Sequence, residues 1–468
     1  MPDVPPDRPD DGMPDEPDRG SSDEPTAPNP FAGTPFEQVF GGLASGDMSG
    51  LQAVFGQLQR MLAPHEGAVN WDFSRDLARQ VVAQHADRSP DAGDAARLQD
   101  VARLAEHWLD GVTDLPAASS TMTAWSRAEW VEASMPTWRR LVEPIAESVV
   151  AAMSEALPAE AKAMAGPMIG MLNQLGGAMF SQQVGQAIGG LSQEVISATD
   201  LGFPVTEDHR PALVLSNAMT FAVGLGIDES DVLLYLVLRE CAHQRLFLNA
   251  PWLRDYILAA TEAYARGITI DVSAIEQSMQ GLDPSNMEAM QEALNGGLFD
   301  LDQTPAQRDA LTRLETTLAL VEGWVDEVVS QAADKAMPEA SALREAVRRR
   351  RASGGPAEET FATLVGLELR PRRLRDAAAL FGALRAAEGA AARDNVWAHP
   401  ESLPTAADLD DPLSFAERTK EADSIDVLSD EFDAALTAFL DKPDGESEGP
   451  AGADDPGGSE GPNGPTST

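Results

Sequence analysis

The chain has 468 residues, of which 43% are hydrophobic, so it can bury one large core or form two to three ordinary domains. Its formal net charge of −42 disfavours nucleic acid and anionic membranes as partners, and its single cysteine excludes an internal disulfide. Solubility is the simplest role for this charge, and acidic mimicry of a nucleic acid is the alternative.

The two ends of the sequence are rich in Pro, Gly, Ser and acidic residues. Residues 1–30 and 441–468 are predicted to be disordered acidic tails, because they cannot bury enough apolar surface to offset the entropy of ordering. Residues 1–10 lack the basic segment and apolar run of a secretory signal, so we expect a cytoplasmic protein. Between the tails we predict an N-terminal helical region at 31–156 and a second helical domain at 157–440.

Helical periodicity dominates residues 35–156. One predicted helix has an apolar face formed by Leu98, Val101, Leu104, Ala105, Trp108 and Leu109. Ser126 and Glu129 have the spacing of a capping box ahead of an apolar run. Pro136 then predicts the start of a new amphipathic helix that continues to Leu157.

Residues 163–193 contain no charged side chain, and they include Gly185 and Gly189 at a spacing that is also found in membrane helices. Eight Asn, Gln and Ser residues in this segment would be costly in a bilayer, and Pro167 interrupts the run. We therefore predict tightly packed buried helices here and no stable membrane span.

Strand signals are few, and residues 212–216 carry one of them. The sequence therefore predicts a mainly helical fold with at most a small strand element. The next helix is expected to begin at Asp228, which can cap it, and acidic residues in the first turn favour this start. Residues 232–238 follow without a charge, and a helix that is apolar on all sides is a buried one.

Arg239, Glu240 and His243 come next, inside this predicted buried helix. Ionisable groups are costly in a protein interior unless they are paired or bind a metal. In the signature His-Glu-x-x-His, the two histidines bind zinc and the glutamate acts as general base. Glu240 and His243 match the last four positions of this signature, and Arg239 replaces the first histidine. The alternative to a zinc ligand is that His243 is a core histidine with satisfied hydrogen bonds, because Glu-x-x-His is common by chance.

Several further sequence blocks follow one another in a fixed order. They are residues 238–247 (LRECAHQRLF), 250–254 (APWLR), 320–326 (LVEGWVD), 366–373 (GLELRPRR), 396–400 (VWAHP) and 403–405 (LPT). The series resembles the zincin-like hydrolase family of actinobacteria, whose members are described as zinc-dependent metalloproteases. The resemblance extends over about residues 35–420, and it implies a zincin-like fold for the domain at 157–440.

The resemblance also implies a zinc metallohydrolase of peptidase type that acts on a peptide or protein. It assigns Glu240 as the catalytic base, and His243 and Glu322 as metal ligands. Asp326, one turn after Glu322, would support one of the metal-binding side chains without contacting the metal itself. From its position beside an apolar stripe alone, Glu322 would be a boundary residue with a solvated carboxylate.

Arg239 leaves such a zinc site one ligand short, because a guanidinium is permanently charged and offers no lone pair. In a metallohydrolase, the missing ligand would come from elsewhere, and His209 and His399 are the candidates. In the alternative account Arg239 pairs with a carboxylate, Glu322 or Glu240. The protein would then be a non-catalytic zincin-like scaffold with an interaction or regulatory role.

Four consecutive arginines, Arg348 to Arg351, form one basic cluster, and residues 370–375 contain a second. Neither has the interleaved aromatic residues of a nucleic-acid surface, and the rest of the chain is acidic. We therefore predict that these arginines pair within the protein, with acidic surface residues or with the tails.

Overall fold

The computed structural model describes residues 65–118, 121–155, 166–206, 210–267, 304–352, 360, 364 and 373–420. The two predicted acidic tails lie outside these ranges. The described chain is mainly helical and contains one small parallel sheet of two strands, which confirms the predicted fold class.

The first half of the described chain contains α1 (Trp71–Ala83), α2 (Ala92–Leu109), β1 (Thr123–Trp125), α3 (Arg127–Glu155), α4 (Gly166–Leu191), β2 (Ala212–Val214) and α5 (Leu215–Val223). The second half contains α6 (Glu229–Asn249), α7 (Trp252–Ala265), α8 (Pro305–Ala333), α9 (Ala340–Ala352), α10 (Leu374–Glu388), α11 (Ala390–Asn395), a 3-10 turn (Pro400–Ser402) and α12 (Ala406–Asp410). A continuous core of buried hydrophobic residues extends from Val69 to Ala416. Within it, α8 packs against α6, α7 and α10, so the two helices with the motif residues lie side by side.

Helix starts follow the capping signals of the sequence. Glu129 accepts a hydrogen bond from the Ser126 backbone N–H at 2.7 Å, and Ser126 Oγ accepts one from the Glu129 N–H at 3.2 Å, which confirms the capping box before α3. Asp228 caps α6 by accepting from the Ser230 N–H at 2.8 Å, as predicted. These caps supply partners for backbone donors that a helix leaves unpaired in its first turn.

The prediction of a new helix at Pro136 was wrong. α3 continues through both Pro136 and Pro144. Trp130 and Trp138, on either side of the first proline, are at most 1% exposed. Burial of two indole rings contributes enough free energy to offset the backbone hydrogen bond that a proline removes from a helix.

The uncharged segment forms α4, which packs closely against α1. A Cβ atom on Gly185 would lie 2.6 Å from the Ser74 carbonyl oxygen, and one on Gly189 would lie 2.7 Å from Val81 Cβ. Glycine at these positions therefore permits close contact between two helices, which confirms the predicted tight packing. No helix in the described ranges has both the length and the apolarity that are needed to cross a membrane.

The sheet positions a turn that contributes to the site. β2 forms where the sequence predicts a strand, although residues 215–216 already belong to α5. It pairs in parallel with β1, a strand that we did not predict from the sequence. On its other side, the backbone of residues 196–198 hydrogen-bonds to β2, and Thr199 and Asp200 follow directly in a turn. Gly202 in this turn has a φ of 85°, which favours glycine.

Candidate functional site

α6 is buried along most of its length, as its uncharged run predicted. Every residue from Val232 to Phe247 is buried. Arg239 and His243 lie one turn apart and share one face of the helix, whereas Glu240 and Gln244 lie on a neighbouring face. The two faces point toward different parts of the protein and find different partners.

The Arg239–His243 face meets Glu322 of α8. Arg239 Nη2 donates to Glu322 Oε2 at 2.6 Å, and His243 Nε2 lies 3.0 Å from Glu322 Oε1. Glu322 is 1% exposed, so the interpretation as a solvated boundary residue is wrong. Packing of α8 against α6 turns this carboxylate inward, and the structure thus brings three of the sequence-predicted site residues together.

Arg351, at the end of α9, adds a second guanidinium to Glu322. Its Nη2 lies 2.7 Å from Glu322 Oε1. Burial alone would raise the pKa of Glu322, but Arg351, His243 and Arg239 together hold that pKa well below its usual range. We did not predict Arg351 as a site residue from the sequence, and the run of four arginines is the signal that could have pointed to it.

His243 contacts an acceptor with each of its ring nitrogens. Nδ1 lies 2.8 Å from the Arg239 carbonyl oxygen, and Nε2 faces the Glu322 carboxylate. A neutral imidazole has one N–H donor, so both contacts are hydrogen bonds only when both nitrogens carry protons. His243 thus links the backbone of α6 to Glu322 of α8.

Glu240 is bound on the neighbouring face of α6, toward the sheet. Its Oε2 accepts from the Thr199 backbone N–H at 3.2 Å and from the Thr199 hydroxyl, and its Oε1 accepts from the Ala212 N–H at 3.3 Å and from Gln244 Nε2 at 2.9 Å. All four donors are neutral, and none belongs to Arg239, His243 or Glu322. The structure therefore does not bring Glu240 to the cluster around Glu322, and Glu240 connects α6 to β2 and to the turn at Thr199.

Asp326 holds α9 against α8. Its Oδ2 accepts from Arg344 Nε at 2.9 Å, from Arg344 Nη2 at 2.6 Å and from Arg348 Nη2 at 2.6 Å. None of these contacts is to His243 or Glu322. Asp326 therefore acts on the site by positioning α9, whose last turn carries Arg351.

The prediction that the arginine run pairs within the protein is confirmed. Arg348 binds Asp326, Arg350 binds Asp200, and Arg351 binds Glu322, whereas Arg349 is exposed. The partners are nearly buried carboxylates of the core and of the turn after α4, and not the acidic surface that the sequence suggested.

Of the two candidate substitute ligands, His209 lies outside the described residues, so its role stays a prediction. His399 is exposed and precedes the 3-10 turn, whereas His243 is 2% exposed. In the ranges that the structure describes, no group of three or more His, Cys, Asp or Glu side chains is arranged to hold a metal ion.

A small cavity of about 30 Å³ lies beside the cluster. Its polar lining consists of Ser197, Asp200, Arg239, His243, Arg350 and Arg351, and its apolar wall of Ile196, Leu236 and Val347. Asp200 accepts from Arg350 Nη1 at 3.0 Å and from Arg350 Nη2 at 2.9 Å. Burial would raise the pKa of Asp200, but Arg350 and Arg351 lower it.

The resemblance that the sequence blocks indicate agrees with a comparison against known families. The family model described as zincin-like metallopeptidase matches residues 69–416. The chain belongs to this zincin-like family. The match confirms the resemblance at the level of the family, and it covers nearly all of the described residues.

A solved structure supports the fold of this zincin-like protein. The crystal structure described as "a putative hydrolase with a novel fold from Chloroflexus aurantiacus" matches with a TM-score of 0.54 and 19% sequence identity. The match covers 75% of this chain and 99% of that chain. At this identity the likeness shows a shared fold alone. The comparison with curated proteins gave no match.

The donors at the zincin position do not fit a zinc ion. A catalytic zinc takes three protein ligands and a water, and this cluster offers one imidazole and one carboxylate. The carboxylate already binds two guanidinium groups, and both nitrogens of His243 face acceptors. Two permanent positive charges at Arg239 and Arg351 would also repel a divalent cation.

Proposed function

We propose that this zincin-like protein is a non-catalytic member of its family, which acts by binding a partner and not by hydrolysis. The observation that carries the proposal is the salt bridge between Arg239 Nη2 and Glu322 Oε2 at 2.6 Å. This salt bridge joins Arg239, which replaces the first histidine of the zinc signature, to Glu322, to which the family resemblance assigns the role of third zinc ligand.

The energetics of burial support this proposal. A buried carboxylate without a partner is strongly destabilising, and zinc is the partner that the family resemblance implies for Glu322. Here two guanidinium groups and an imidazole take that place, from α6 and α9. The fold can therefore keep its inward-facing Glu322 without a metal.

The surroundings of Glu240 also support the proposal. A general base must accept a proton from a water molecule within hydrogen-bond reach of it. Both oxygens of Glu240 already accept hydrogen bonds from Thr199, Ala212 and Gln244, and Glu240 does not line the cavity beside His243. Glu240 thus has a structural role that is sufficient to explain its buried charge.

Zinc content is the measurement that tests the proposal. The purified protein, stripped with a chelator and then titrated with zinc, should hold less than about a tenth of an equivalent. It should also leave peptide substrates intact. Uptake of one equivalent by the unmodified protein, with loss of that uptake in His243→Ala, would overturn the proposal in favour of a metallohydrolase with a third ligand from another segment.

Restoration of the site offers a sharper version of the same experiment. Arg239→His alone should bind zinc weakly, because Arg351 still binds Glu322. The double variant Arg239→His with Arg351→Gln should bind zinc at least about tenfold more tightly than Arg239→His alone. Residues that contact a metal ligand, as Arg351 contacts Glu322, commonly change metal affinity by that factor or more. Arg239→His with Arg349→Gln is the matched control, because Arg349 belongs to the same run but is exposed.

A further inference from the structure

A second and larger cavity, of about 370 Å³, lies between the start of α2, α5 and the first turns of α6. Its apolar lining consists of Pro90, Leu98, Leu215, Met219 and Leu233. Binding sites for ligands have volumes of about 300–1,000 Å³ and a mostly apolar lining with a few polar groups. The cavity therefore has the size and the lining of a site that receives a large apolar group.

Two salt bridges form most of the polar lining of this cavity. Arg97 Nη1 of α2 lies 3.0 Å from Glu229 Oε1 of α6, and Arg88 Nη2 lies 2.6 Å from Asp94 Oδ2. Each of the two arginines is thus balanced by a carboxylate that also lines the cavity. The lining has no excess of either sign, so the interior of the cavity favours an uncharged, apolar occupant.

Ser216 is the remaining polar residue of the lining. Its Oγ is shielded from solvent and forms no hydrogen bond with the described residues, although its carbonyl oxygen accepts one from the Thr220 hydroxyl. A shielded hydroxyl without a partner is unfavourable. An occupant that brings a hydrogen-bonding group next to Ser216 would therefore be stabilised.

The apolar surface continues outside the cavity along α5. Leu215, Met219 and Val223 follow one another at intervals of four residues, so they lie along one face of the helix over about 12 Å. Val223 is 87% exposed, and none of the nine residues of α5 is charged. An exposed apolar strip that extends an apolar cavity indicates an interaction site. Two helical turns of such surface fit the apolar stripe of another helix.

Acidic groups outnumber basic ones around this surface. Beyond the two balanced pairs, Asp91 lies at the start of α2, and Asp228 and Asp231 lie at the start of α6. The described residues supply no further cation to these three acids. Arg127 and Asp87, near the first residues of α5, add one charge of each sign. This excess of acidic charge, together with the net charge of −42, favours a partner with basic residues.

We propose that the cavity and the exposed face of α5 form one groove, which binds a basic amphipathic helix of a partner protein. One large apolar side chain of that helix would fill the cavity, and the next turns would pack against Met219 and Val223. Lysines or arginines beside the apolar stripe would face Asp91, Asp228 and Asp231. The inference rests on the proposed function, since it names the surface through which a non-catalytic protein would bind its partner.

Fluorescence anisotropy with a model peptide tests the proposal on the full chain. The probe is a labelled peptide of leucine and lysine, about five helical turns long, with its leucines at the spacing of a helical stripe. It should bind saturably to the unmodified protein. A peptide of the same pattern with glutamate in place of lysine should bind at least about tenfold more weakly, because it is repelled by the acids around the groove.

Two variants within the groove are compared with one outside it. Met219→Gln keeps the length of the side chain and removes its apolar character, so the leucine–lysine peptide should bind about tenfold more weakly. Met179→Gln is the matched control, because Met179 is 58% exposed on α4 and does not line the cavity. Ser216→Leu fills the cavity, leaves every charge in place and should weaken binding by a similar factor.

Equal affinity of the leucine–lysine peptide for the unmodified protein and for both groove variants would overturn the inference, and so would equal binding of the glutamate peptide. A dimer in sedimentation that Met219→Gln dissociates would also overturn it, because the groove would then bind a second copy of this chain. Zinc titration of the same samples separates the two proposals. A metal-free protein whose groove does not bind the peptide overturns this inference alone, whereas zinc uptake that depends on His243 overturns the proposed function.

Discussion

Glu240 and Glu322 are two buried glutamates on neighbouring helices, and the protein stabilises them in different ways. Each is 1% exposed. Glu240 accepts hydrogen bonds from neutral donors of a strand, a turn and its own helix. Glu322 is surrounded by Arg239, Arg351 and His243, which come from two helices.

The difference shows which of the two regions can change its chemistry. Backbone N–H groups are fixed by the fold, so the region around Glu240 can hold only an acceptor of that shape. The region around Glu322 depends on side chains, so substitution of a few of them can reverse the charge that surrounds this carboxylate. Such a change leaves the contacts of Glu240 with Thr199 and Ala212 in place, so this residue still connects α6 to the sheet.

Glu322→Gln tests the cationic region and should have the largest effect. It leaves Arg239 and Arg351 without a buried counter-charge, and we expect a loss of about 3–5 kcal/mol in the free energy of unfolding, measured with urea. Arg351→Gln in the same chain should recover part of this loss, with a coupling energy of about 0.5–3 kcal/mol. A loss below 1 kcal/mol for Glu322→Gln would show that the cluster does not contribute as the geometry indicates.

Glu240→Gln tests the neutral region and should have a smaller effect. The amide replaces one charged acceptor with a donor that faces other donors, so the free energy of unfolding should fall by about 1.5–3 kcal/mol. A coupling energy above about 0.5 kcal/mol between Glu240→Gln and Glu322→Gln in urea unfolding would show that the two regions are not independent, and the comparison would then fail.

Thr199→Val should have the smallest effect of the three. It removes one hydroxyl donor to Glu240 and keeps the backbone N–H of residue 199, so a loss of about 1 kcal/mol is expected in urea unfolding. Thr220→Val is the matched control, because the Thr220 hydroxyl donates to the Ser216 carbonyl on an exposed face of α5. An equal loss in both variants would mean that the bond to Glu240 contributes nothing beyond a local contact.

Local signals in the sequence predicted much of the helical framework. Asp228 begins α6, the uncharged run after it is buried, and Ser126 with Glu129 caps α3. These features depend on residues within one or two turns of each other, so a single sequence contains all the information that they need. Pro136 was misjudged because the burial of aromatic side chains beside it comes from distant parts of the chain.

The sequence alone determined that Arg239 lies in a helix too apolar to leave it exposed, and it predicts that Arg239 stands where a zincin has its first histidine. The tertiary structure decided which partner Arg239 takes, that Glu240 faces the sheet, and that Arg351 reaches Glu322 from α9. Periodicity fixes the face of a helix on which a side chain lies. Ion pairs between residues far apart in sequence depend on how the helices pack, and that packing is set by the shape of the whole core.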